Sequence, residues 1–428
     1  MKYRALLLFP LILVGLAWKP LPQADNVILL IPDGCSQSLA TLSRLYAGAP
    51  LPLDAIQVGA VTTRSLDKSI TDSAAAGSAY ASGFKHANGS LSISPDGKPR
   101  RTIAEAAKAK GLSVGLVTTV NLSDATPAAF GSHVPSRKQQ SEIALQILRQ
   151  DFDVLMGGGA SFFNPYKTNG FYSAWVTNRT DLLALDAPKY IGLFAETEMA
   201  LSIDRPTETS EPTLAEMTVA ALKTLSKNKK GFFLMVEGGQ VDRVMHANDG
   251  AAAVQEFLAF NQAVSEVLAF ARRDGRTLVI ACPDHDTGGL TLANAARKGY
   301  STCEELVAPL SGMKCSAKTV CSGLSAKSGD VEIAAALLAR WNITFSAQDR
   351  ADLRALLDKG RPLVSAVLEI VNTRFTALSW STNGHTGVDV PLWAFGPQAP
   401  AGVLDNTEVC RHISKVLELD LFGTPAAK

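Results

Sequence analysis

Residues 71–83 place a serine beside an aspartate and follow them with small residues, in the order Thr-Asp-Ser-Ala-Ala-Ala-Gly-Ser-Ala-Tyr-Ala-Ser-Gly. Ser73 is a candidate nucleophile, because a serine hydroxyl can attack an electrophile once a base, a lowered pKa or a metal activates it. The Gly-x-Ser-x-Gly turn that presents the nucleophile in many hydrolases does not surround Ser73. We therefore expect the activating group to come from another part of the chain.

Acidic side chains follow several continuous apolar runs, which are typical of strands buried on both faces of a mostly parallel sheet. In open α/β sheets, ligands bind beyond the carboxyl ends of the strands. Each acid alone would fit a helix cap or a turn, but together they predict one shared site. The residues that follow these runs are Asp33, Asp124, Glu237, Asp284 and His285.

Three histidines carry neighbouring acids or glycines. His246 lies four residues after Asp242, so both side chains would share one helix face. His285 follows Asp284 directly, and His385 lies on a glycine-flanked turn before a buried strand. Asp, Glu and His without thiolates suit zinc in a catalytic role, with magnesium or manganese at all-oxygen positions. The remaining histidines give weaker signals, and His86 is predicted to lie on the surface.

Strand-like and helical patterns alternate along most of the chain, which predicts an α/β fold with a large, mostly parallel central sheet and helices on both faces. Helical patterns cover residues 102–110, 139–150, 212–226 and 251–272. We assign 25–286 to the first part of this core. Residues 287–384 change character and are predicted to form a cap, or crown, insertion with helices at 329–340 and 347–372. Residues 385–428 return to the core, with a strand at 388–395 and a helix at 406–417.

Composition limits the classes of partner. Apolar residues make up 46% of the chain and charged residues 19%, which indicates a globular protein. A formal net charge of +1 gives no electrostatic reason to expect nucleic acid or an anionic membrane surface. Cys303, Cys315 and Cys321 lie close together in sequence and predict one local disulfide, whereas Cys35 and Cys282 are expected to be buried thiols.

The first 24 residues have the pattern of an export signal. A short basic start precedes an apolar run at residues 5–18, which is too short to cross a bilayer comfortably. We interpret 1–24 as a signal peptide and leader, cut after Ala17 or, with a weaker motif, after Ala24. An uncleaved membrane anchor is the alternative. A periplasmic or secreted protein without stable membrane insertion is the expectation.

The ordered set of motifs resembles the alkaline phosphatase family over nearly the whole mature chain. Any one motif alone is weak, but all occur in the family's order and with its local spacings. The matching pieces are Pro32-Asp33-Gly34, Thr71-Asp72-Ser73-Ala74-Ala75, Asp124-Ala125-Thr126-Pro127, His133-Val134-Pro135-Ser136-Arg137, Val236-Glu237-Gly238, Asp242 with His246, Asp284-His285-Asp286-Thr287-Gly288-Gly289 and Gly384-His385-Thr386-Gly387.

The resemblance implies two Zn²⁺ ions, one Mg²⁺ ion and a serine nucleophile. It implies one zinc on Asp242, His246 and His385, and a second on Asp33, Asp284 and His285 with Ser73 as its reactive ligand. It implies magnesium on Asp33, Asp124, Thr126 and Glu237. Arg137 would grip phosphate oxygens in its planar fork, with Asp72 orienting it. Arg243 occupies a position where the family varies, and either phosphate contact or solvent exposure is compatible with the sequence.

The family resemblance implies an exported enzyme that hydrolyses small phosphate monoesters through a phosphoserine. A phosphodiesterase or nucleotide pyrophosphatase of the same superfamily is the first alternative, but such enzymes lack the magnesium ligands and the phosphate-gripping arginine. A sulfatase is disfavoured because no Cys-x-Pro-x-Arg or Ser-x-Pro-x-Arg motif surrounds Ser73. A non-catalytic phosphate-binding protein would be expected to lack a ligand or the nucleophile. A homodimer is possible, and a monomer remains an alternative.

Overall fold

The computed structural model of the chain describes residues 23–294 and 299–422, and a ten-stranded sheet lies at its centre. The strands of this sheet are β1 (Asn26–Ile31), β2 (Gln57–Thr62), β3 (Ser113–Asn121), β4 (Val154–Gly158), β5 (Trp175–Val176), β6 (Tyr190–Leu193), β7 (Phe232–Glu237), β8 (Thr277–Ala281), β13 (Val390–Phe395) and β14 (Gly402–Asp405). Four short strands form two further pairs, β9 (Asp286–Thr287) with β12 (His385–Thr386) and β10 (Leu290–Thr291) with β11 (Ser379–Trp380).

Helices occupy both faces of the sheet and the segment between β10 and β11. They are α1 (Gln37–Ala47), α2 (Ser73–Ser82), α3 (Ile103–Lys110), α4 (Ala125–Gly131), α5 (Gln140–Arg149), α6 (Ala160–Phe163), α7 (Arg179–Ala184), α8 (Leu214–Leu225), α9 (Gln240–Ala247), α10 (Gly250–Asp274), α11 (Cys303–Gly312), α12 (Ala317–Val320), α13 (Asp330–Trp341), α14 (Ala347–Asp358), α15 (Leu363–Arg374) and α16 (Asn406–Val416). Short 3₁₀ helices lie at Pro52–Ile56, Asn164–Asn169 and Ser202–Asp204.

The order of strands across the large sheet is β14-β2-β13-β8-β1-β7-β3-β4-β6-β5. All neighbouring pairs are parallel except those that β13 makes with β2 and β8. The carboxyl ends of β1, β3, β7 and β8 therefore meet at one edge of the sheet. This is the edge where the predicted acids follow their strands.

Strand β1 shows why the core is apolar on both sides of the sheet. All six of its residues are buried, and it pairs with β7 on one side and β8 on the other. Because successive side chains point to opposite faces, Ile28 and Leu30 join one core cluster while Val27, Leu29 and Ile31 join the other. The first cluster packs under α1, α8 and α10, and the second under α2–α5 and α16.

The structure confirms the α/β class and a mostly parallel sheet. The five strands predicted from apolar runs are β1, β3, β4, β7 and β8, and the helical patterns near 102, 139, 212 and 251 correspond to α3, α5, α8 and α10. The predicted final strand and helix correspond to β13 and α16. Strands β2, β5, β6 and β14 and helix α1 were not predicted, since none combines a long apolar run with a clear boundary.

Three smaller predictions were wrong. The helix expected over 347–372 is two helices, α14 and α15, because Gly360 adopts φ +83° and Pro362 precedes α15. His86 is 1% exposed rather than on the surface, bonded to the Ser82 hydroxyl and the Ile93 carbonyl. The three neighbouring cysteines are free thiols, separated by α11 and α12, with Cys303 exposed and Cys321 buried. Cys35 and Cys282 are buried thiols, as predicted.

The apolar run of the predicted leader lies outside the described residues, as do residues 295–298 and 423–428. Among the helices of the described ranges, none combines the length and the hydropathy needed to cross a membrane.

Candidate active site

Ser73 is the first residue of α2, at the carboxyl edge of the sheet. Asp72 caps this helix, since its Oδ1 accepts the Ala75 N–H at 3.0 Å, and Ser73 is 2% exposed. The small residues of α2 let it pack closely on α4: a Cβ added to Gly77 would lie 3.3 Å from Ala129 Cβ. The helix start thus directs free backbone N–H groups and the positive end of its dipole towards the site.

A buried Asp–His group lies directly beside the serine. His285 Nε2 is 3.1 Å from Ser73 Oγ, 3.2 Å from Asp284 Oδ2 and 3.6 Å from Asp33 Oδ1. Ligand atoms of Asp33, Asp284 and His285 lie within 4.8 Å of one another, a separation that one metal ion can span. These are the three residues that the family resemblance implies for the second zinc.

A second group lies next to the first. Asp242, His285 and His385 also offer ligand atoms within 4.8 Å of one another. The predicted partner His246 adjoins this group, with its Nε2 at 3.2 Å from His385 Nε2 and 3.3 Å from Asp242 Oδ2. The rings of His285 and His385 stack with centroids 3.6 Å apart, so the two groups are contiguous.

Backbone carbonyls and hydroxyls orient these histidines. His385 Nδ1 lies 2.8 Å from Thr71 O, and His246 Nδ1 lies 2.5 Å from Asn383 O. Each ring therefore donates through Nδ1 and directs Nε2 into the site. His385 belongs to β12, which pairs with β9 directly after His285, so a two-stranded pair fixes the distance between them.

Thr287 joins the two groups. Its hydroxyl donates to Asp242 Oδ1 at 2.6 Å and lies 3.2 Å from His285 Nδ1. Gly34 leaves room for this contact: at φ +70°, a Cβ added there would lie 2.7 Å from Asp242 Oδ1 and 2.8 Å from Thr287 Oγ1. The glycine after Asp33 is thus required by both its backbone conformation and the space beside it.

The residues implied for magnesium lie on the other side of Asp33. Thr126 Oγ1 donates to Asp33 Oδ2 at 3.3 Å, and Glu237 ends β7, where Thr118 donates to its Oε2. Asp124 caps α4 and accepts the Ala125 N–H at 2.7 Å. Two arginines also bind its carboxylate, and its role as a magnesium ligand stays a prediction.

Arg137 and Arg243 meet at Asp124. Arg137 donates to Asp124 Oδ1 at 3.0 Å and to Asp72 Oδ2 at 3.3 Å, so Asp72 lies where it was expected to orient this guanidinium. Arg243 donates to Asp124 Oδ2, and through Nε to Glu198 Oε1 at 2.6 Å. Burial alone would raise the pKa of Asp124, but Arg243 and Arg137 lower it overall. Arg243 therefore faces the site rather than open solvent.

Three buried acids of the site, Asp33, Glu237 and Asp284, are costly to ionise in the folded chain. Burial raises the pKa of Asp33 well above its usual value, and the neighbouring Asp284 and Asp242 raise it further. Burial, with nearby acids, also raises the pKa of Glu237 to about 7 and of Asp284 to about 7. Burial, together with the adjacent His385, lowers the pKa of His285 well below its usual value.

The donor set fits divalent cations. Asp33 Oδ1 and Asp284 Oδ2 are buried and have no hydrogen-bond partner among the described residues, as expected of oxygens that are reserved for a metal. Neutral imidazole and carboxylate with no thiolate suit zinc, and the oxygen-only set around Thr126 and Glu237 suits magnesium.

Four residues at the site were not among the predicted ones. Thr287 belongs to one of the motifs shared with the family, but nothing in the sequence around it indicates a role for its hydroxyl. Thr118 lies within an apolar run and Asn383 on the turn before His385. Glu198 comes from the irregular segment after β6, where the sequence shows no pattern. Contacts of this kind depend on tertiary geometry rather than on local spacing.

Comparison with known proteins agrees with this arrangement. The family model described as Alkaline phosphatase matches residues 24–419. Alkaline phosphatase 4 of Bacillus subtilis is 37% identical over 82% of this chain and 77% of its own length. The solved Thermus thermophilus alkaline phosphatase superposes with a TM-score of 0.84 and 28% identity, covering 98% of this chain and 97% of that one. A variant of TAB5 alkaline phosphatase, solved with magnesium in its M3 site, has a TM-score of 0.69 and 25% identity over 93% of this chain and 99% of its own.

Proposed function

The chain belongs to the alkaline phosphatase family and is a phosphatase, and from this premise we propose that it hydrolyses phosphate monoesters through a phosphoserine on Ser73. The observation that carries the proposal is the position of Ser73 Oγ, 3.1 Å from His285 Nε2 and beside the unpartnered oxygens of Asp33 and Asp284. Metal-assisted phosphoryl transfer requires a nucleophile next to side-chain oxygens and nitrogens that can bind a metal ion.

We propose two zinc ions and one magnesium ion as cofactors. Asp242, His246 and His385 would hold one zinc, Asp33, Asp284 and His285 the other, and Asp33, Asp124, Thr126 and Glu237 the magnesium. When bound, the metals supply Lewis-acid stabilisation of the serine alkoxide and of charge on the phosphate oxygens. The magnesium-bound TAB5 variant supports the third ion.

Ser73 performs the covalent chemistry. Its Oγ loses a proton and forms a bond to phosphorus while the bond from phosphorus to the alcohol oxygen breaks, and the alcohol leaves with a proton. Water then attacks phosphorus, the Oγ–P bond breaks, and Ser73 recovers its proton as inorganic phosphate departs. Nucleophile and leaving oxygen lie on opposite sides of phosphorus in each transfer.

Arg137 binds and positions the phosphoryl group. Its guanidinium is already held by Asp72 and Asp124, so little side-chain entropy is lost when it engages two phosphate oxygens. Arg243 is held on the other oxygen of Asp124 and adds positive charge to the same wall. Positioning and charge neutralisation, rather than proton transfer by side chains, would supply most of the rate enhancement.

The test compares a phosphate monoester with a matched diester after metal removal and stepwise return of zinc and then magnesium. We expect turnover of the monoester to disappear on chelation, to return with zinc and to rise further with magnesium. Faster turnover of the diester would overturn the proposal in favour of a phosphodiesterase. Turnover that survives complete chelation would overturn the metal assignment.

We also propose that the protein acts in the periplasm or outside the cell. The basic start and the apolar run at residues 5–18 support export, and residues 1–24 would be removed. N-terminal sequencing of the protein recovered from outside the cytoplasm tests this proposal. A start at Trp18 or at Asp25 is expected, whereas an intact Met1 in a membrane fraction would favour the uncleaved anchor.

A further inference from the structure

Thr287 lies between two residues that the proposed function assigns to different zinc ions. Its side chain is fully buried, and its hydroxyl oxygen is 2.6 Å from Asp242 Oδ1 and 3.2 Å from His285 Nδ1. Asp242 belongs to one proposed zinc site and His285 to the other. One hydroxyl group therefore contacts a ligand of each site, although Thr287 itself is not among the proposed ligands.

The two distances indicate where the hydroxyl proton lies. A threonine hydroxyl has one proton to donate and lone pairs that accept, whereas a carboxylate can only accept. The contact with Asp242 Oδ1, at 2.6 Å, has the length of a hydrogen bond from a hydroxyl to a carboxylate, and the contact with His285 is longer. The proton therefore points to Asp242, so the hydroxyl accepts at its other contact and His285 donates through Nδ1–H.

This donation leaves the lone pair of His285 on Nε2. In a neutral imidazole one nitrogen carries the proton and the other accepts, and the nitrogen without the proton is the one that can bind a metal. His285 Nε2 lies 3.1 Å from Ser73 Oγ and 3.2 Å from Asp284 Oδ2, among the ligand atoms proposed for the second zinc. The contact with Thr287 thus selects the metal-binding tautomer of His285.

The other two histidines of the site are oriented by simpler partners. Nδ1 of His385 lies 2.8 Å from Thr71 O, and Nδ1 of His246 lies 2.5 Å from Asn383 O. A carbonyl oxygen can only accept, so it requires Nδ1–H without further help. The hydroxyl beside His285 could donate or accept, and it accepts because Asp242 takes its proton. Asp242 in one proposed zinc site thereby determines the tautomer of His285 in the other.

The backbone holds Thr287 in the position where both contacts form. Thr287 belongs to β9, where it pairs with His385, and its N–H donates to Gly34 O at 3.1 Å. Gly34 also leaves space for the hydroxyl, since a Cβ there would lie 2.8 Å from Thr287 Oγ1. Valine has the shape of threonine with a methyl group in place of the hydroxyl, so it would fit the same space without either hydrogen bond.

We propose that Thr287 is a positioning residue shared by both zinc sites, whose hydroxyl orients Asp242 in one site and holds the metal-binding tautomer of His285 in the other. The proposal rests on the two-zinc site proposed above. Without the hydroxyl, the tautomer that binds a metal through Nε2 would leave a buried Nδ1–H unpaired, and such a group is costly. The cost falls on metal binding, because a metal-free ring can move its proton to Nε2.

The first test measures zinc binding by the metal-free full chain, with Zn²⁺ buffered by a chelator and Mg²⁺ in excess. Thr287→Val should raise the dissociation constants of both zinc ions by about 10- to 100-fold, the usual effect of removing an outer-shell partner. Thr287→Ser keeps the hydroxyl and should stay within about threefold of the parent. Thr218→Val removes a buried hydroxyl from α8, away from the site, and should bind zinc as the parent does.

The second test observes the hydrogen bond itself by NMR of the protein with isotope-labelled histidine at saturating zinc. The Nδ1–H proton of His285 should resonate downfield, as expected of a hydrogen-bonded proton, in the parent and in Thr287→Ser. It should move upfield in Thr287→Val, because its acceptor is lost. The Nδ1–H protons of His246 and His385 bond to carbonyl oxygens and serve as internal references.

Unchanged zinc affinity in Thr287→Val, weakening of only one zinc ion, or an equal loss in Thr287→Ser would overturn the inference while leaving the proposed function intact. In the parent alone, a His285 Nδ1–H proton at the position of a ring without a hydrogen bond would also overturn it, whether or not the valine variant folds. A parent chain that binds no zinc would instead overturn the proposed metal site.

Discussion

At the scale of single residues, Ser73 carries the sharpest prediction. Ser73→Ala should lower kcat by at least roughly a thousandfold, because removal of the nucleophile eliminates the covalent path while the site's charges remain. Metal content and affinity for inorganic phosphate should stay close to those of the parent, as measured by metal analysis and calorimetry.

Ser78→Ala is a matched control, since Ser78 lies on the same buried helix but bonds to Ser90 O and Ser92 N rather than facing the site. It should retain turnover. Comparable activity in both variants would exclude Ser73 as the nucleophile.

Glu198 is predicted to position Arg243. Glu198→Gln removes the charge that holds the guanidinium at 2.6 Å and should lower kcat/KM by roughly three- to tenfold, the effect of weakening one charge-assisted hydrogen bond. The inhibition constant for inorganic phosphate should rise in parallel. Glu196→Gln changes the same charge at an exposed position two residues earlier and should have no effect. Equal kinetics in the two variants would show that Glu198 does not act through Arg243.

Strand ends and helical spacing were sufficient to predict that the acids and histidines of the candidate site share one edge of the sheet, whereas Thr126 and Arg137 were assigned only through the family resemblance. Asp242 and His246 lie on one helical turn, and Asp284 with His285 follows a buried strand, so sequence alone places them at the correct edge. The contact between Arg243 and Glu198 could not be predicted, because it joins α9 to an irregular segment that has no periodicity. The pairing of Asp124 with two arginines has the same origin: it depends on how three elements pack.

At the scale of elements, Asp249 links two helices at once. It caps the 25-residue helix α10 through Ala252 N at 3.1 Å, and its other oxygen accepts from Ala317 N at 2.7 Å, at the start of α12. Asp249→Ala should lower the free energy of unfolding by about 2–4 kcal/mol, as a helix cap is lost and a buried N–H is left unpaired. Urea denaturation measures the change.

Thr302→Ala serves as the comparison, because Thr302 caps only α11 and is exposed. It should cost about 1 kcal/mol. If Asp249→Ala lowers the free energy of unfolding by no more than Thr302→Ala does, the hydrogen bond to Ala317 contributes nothing to stability.

The buried carboxyl group of Glu256, on α10, makes the free energy of unfolding depend on pH. Its side chain is 5% exposed, and burial raises its pKa from 4.5 to about 7. A carboxyl group with a raised pKa in the folded state retains its proton while the unfolded chain releases it, so the free energy of unfolding falls as pH rises from about 4.5 to about 7. The loss is complete above that range and absent below it.

Glu256→Gln should therefore be more stabilising at about pH 8 than at about pH 5, by up to about 3 kcal/mol, and can still accept the Ser202 N–H. Glu266→Gln, at an exposed position on the same helix, should show no such difference between the two pH values. Urea titrations at both pH values measure it, and identical pH dependence in parent and Glu256→Gln would contradict the prediction.

Strands and helices were predictable from the sequence where one pattern of apolar residues dominated a segment. Long apolar runs predicted the central strands, but β5, with two residues, and β14, with exposed residues, have no such run. Gly360 and Pro362 were visible in the sequence, yet the apolar spacing continues across them and predicted one helix instead of two. In that segment the helix-breaking residues, and not the apolar spacing, determine where α14 ends and α15 begins.

At the scale of the whole molecule, the metals should contribute to stability as well as to turnover. Chelation leaves several buried acids close together, so the melting temperature should fall by several degrees and recover when zinc is returned. Differential scanning calorimetry measures both changes. An unchanged melting temperature after verified metal removal would show that the buried carboxylates need no cation in the folded state.

The order of strands across the sheet could not be predicted from the sequence. Alternating strands and helices predict parallel pairing, but they do not say that β1 lies between β7 and β8, or that β13 runs against its neighbours. Those choices depend on which apolar surfaces bury each other best in the complete fold.

The central position of β1 also has a consequence during synthesis. Its residues Asn26–Ile31 leave the ribosome first among the strands, but their partners Phe232–Glu237 and Thr277–Ala281 follow only after about 200 further residues have been translated. For that period the nascent strand has two open edges and a sequence suited to intermolecular pairing. Productive expression should therefore depend on a chaperone that shields this segment until β7 and β8 are available.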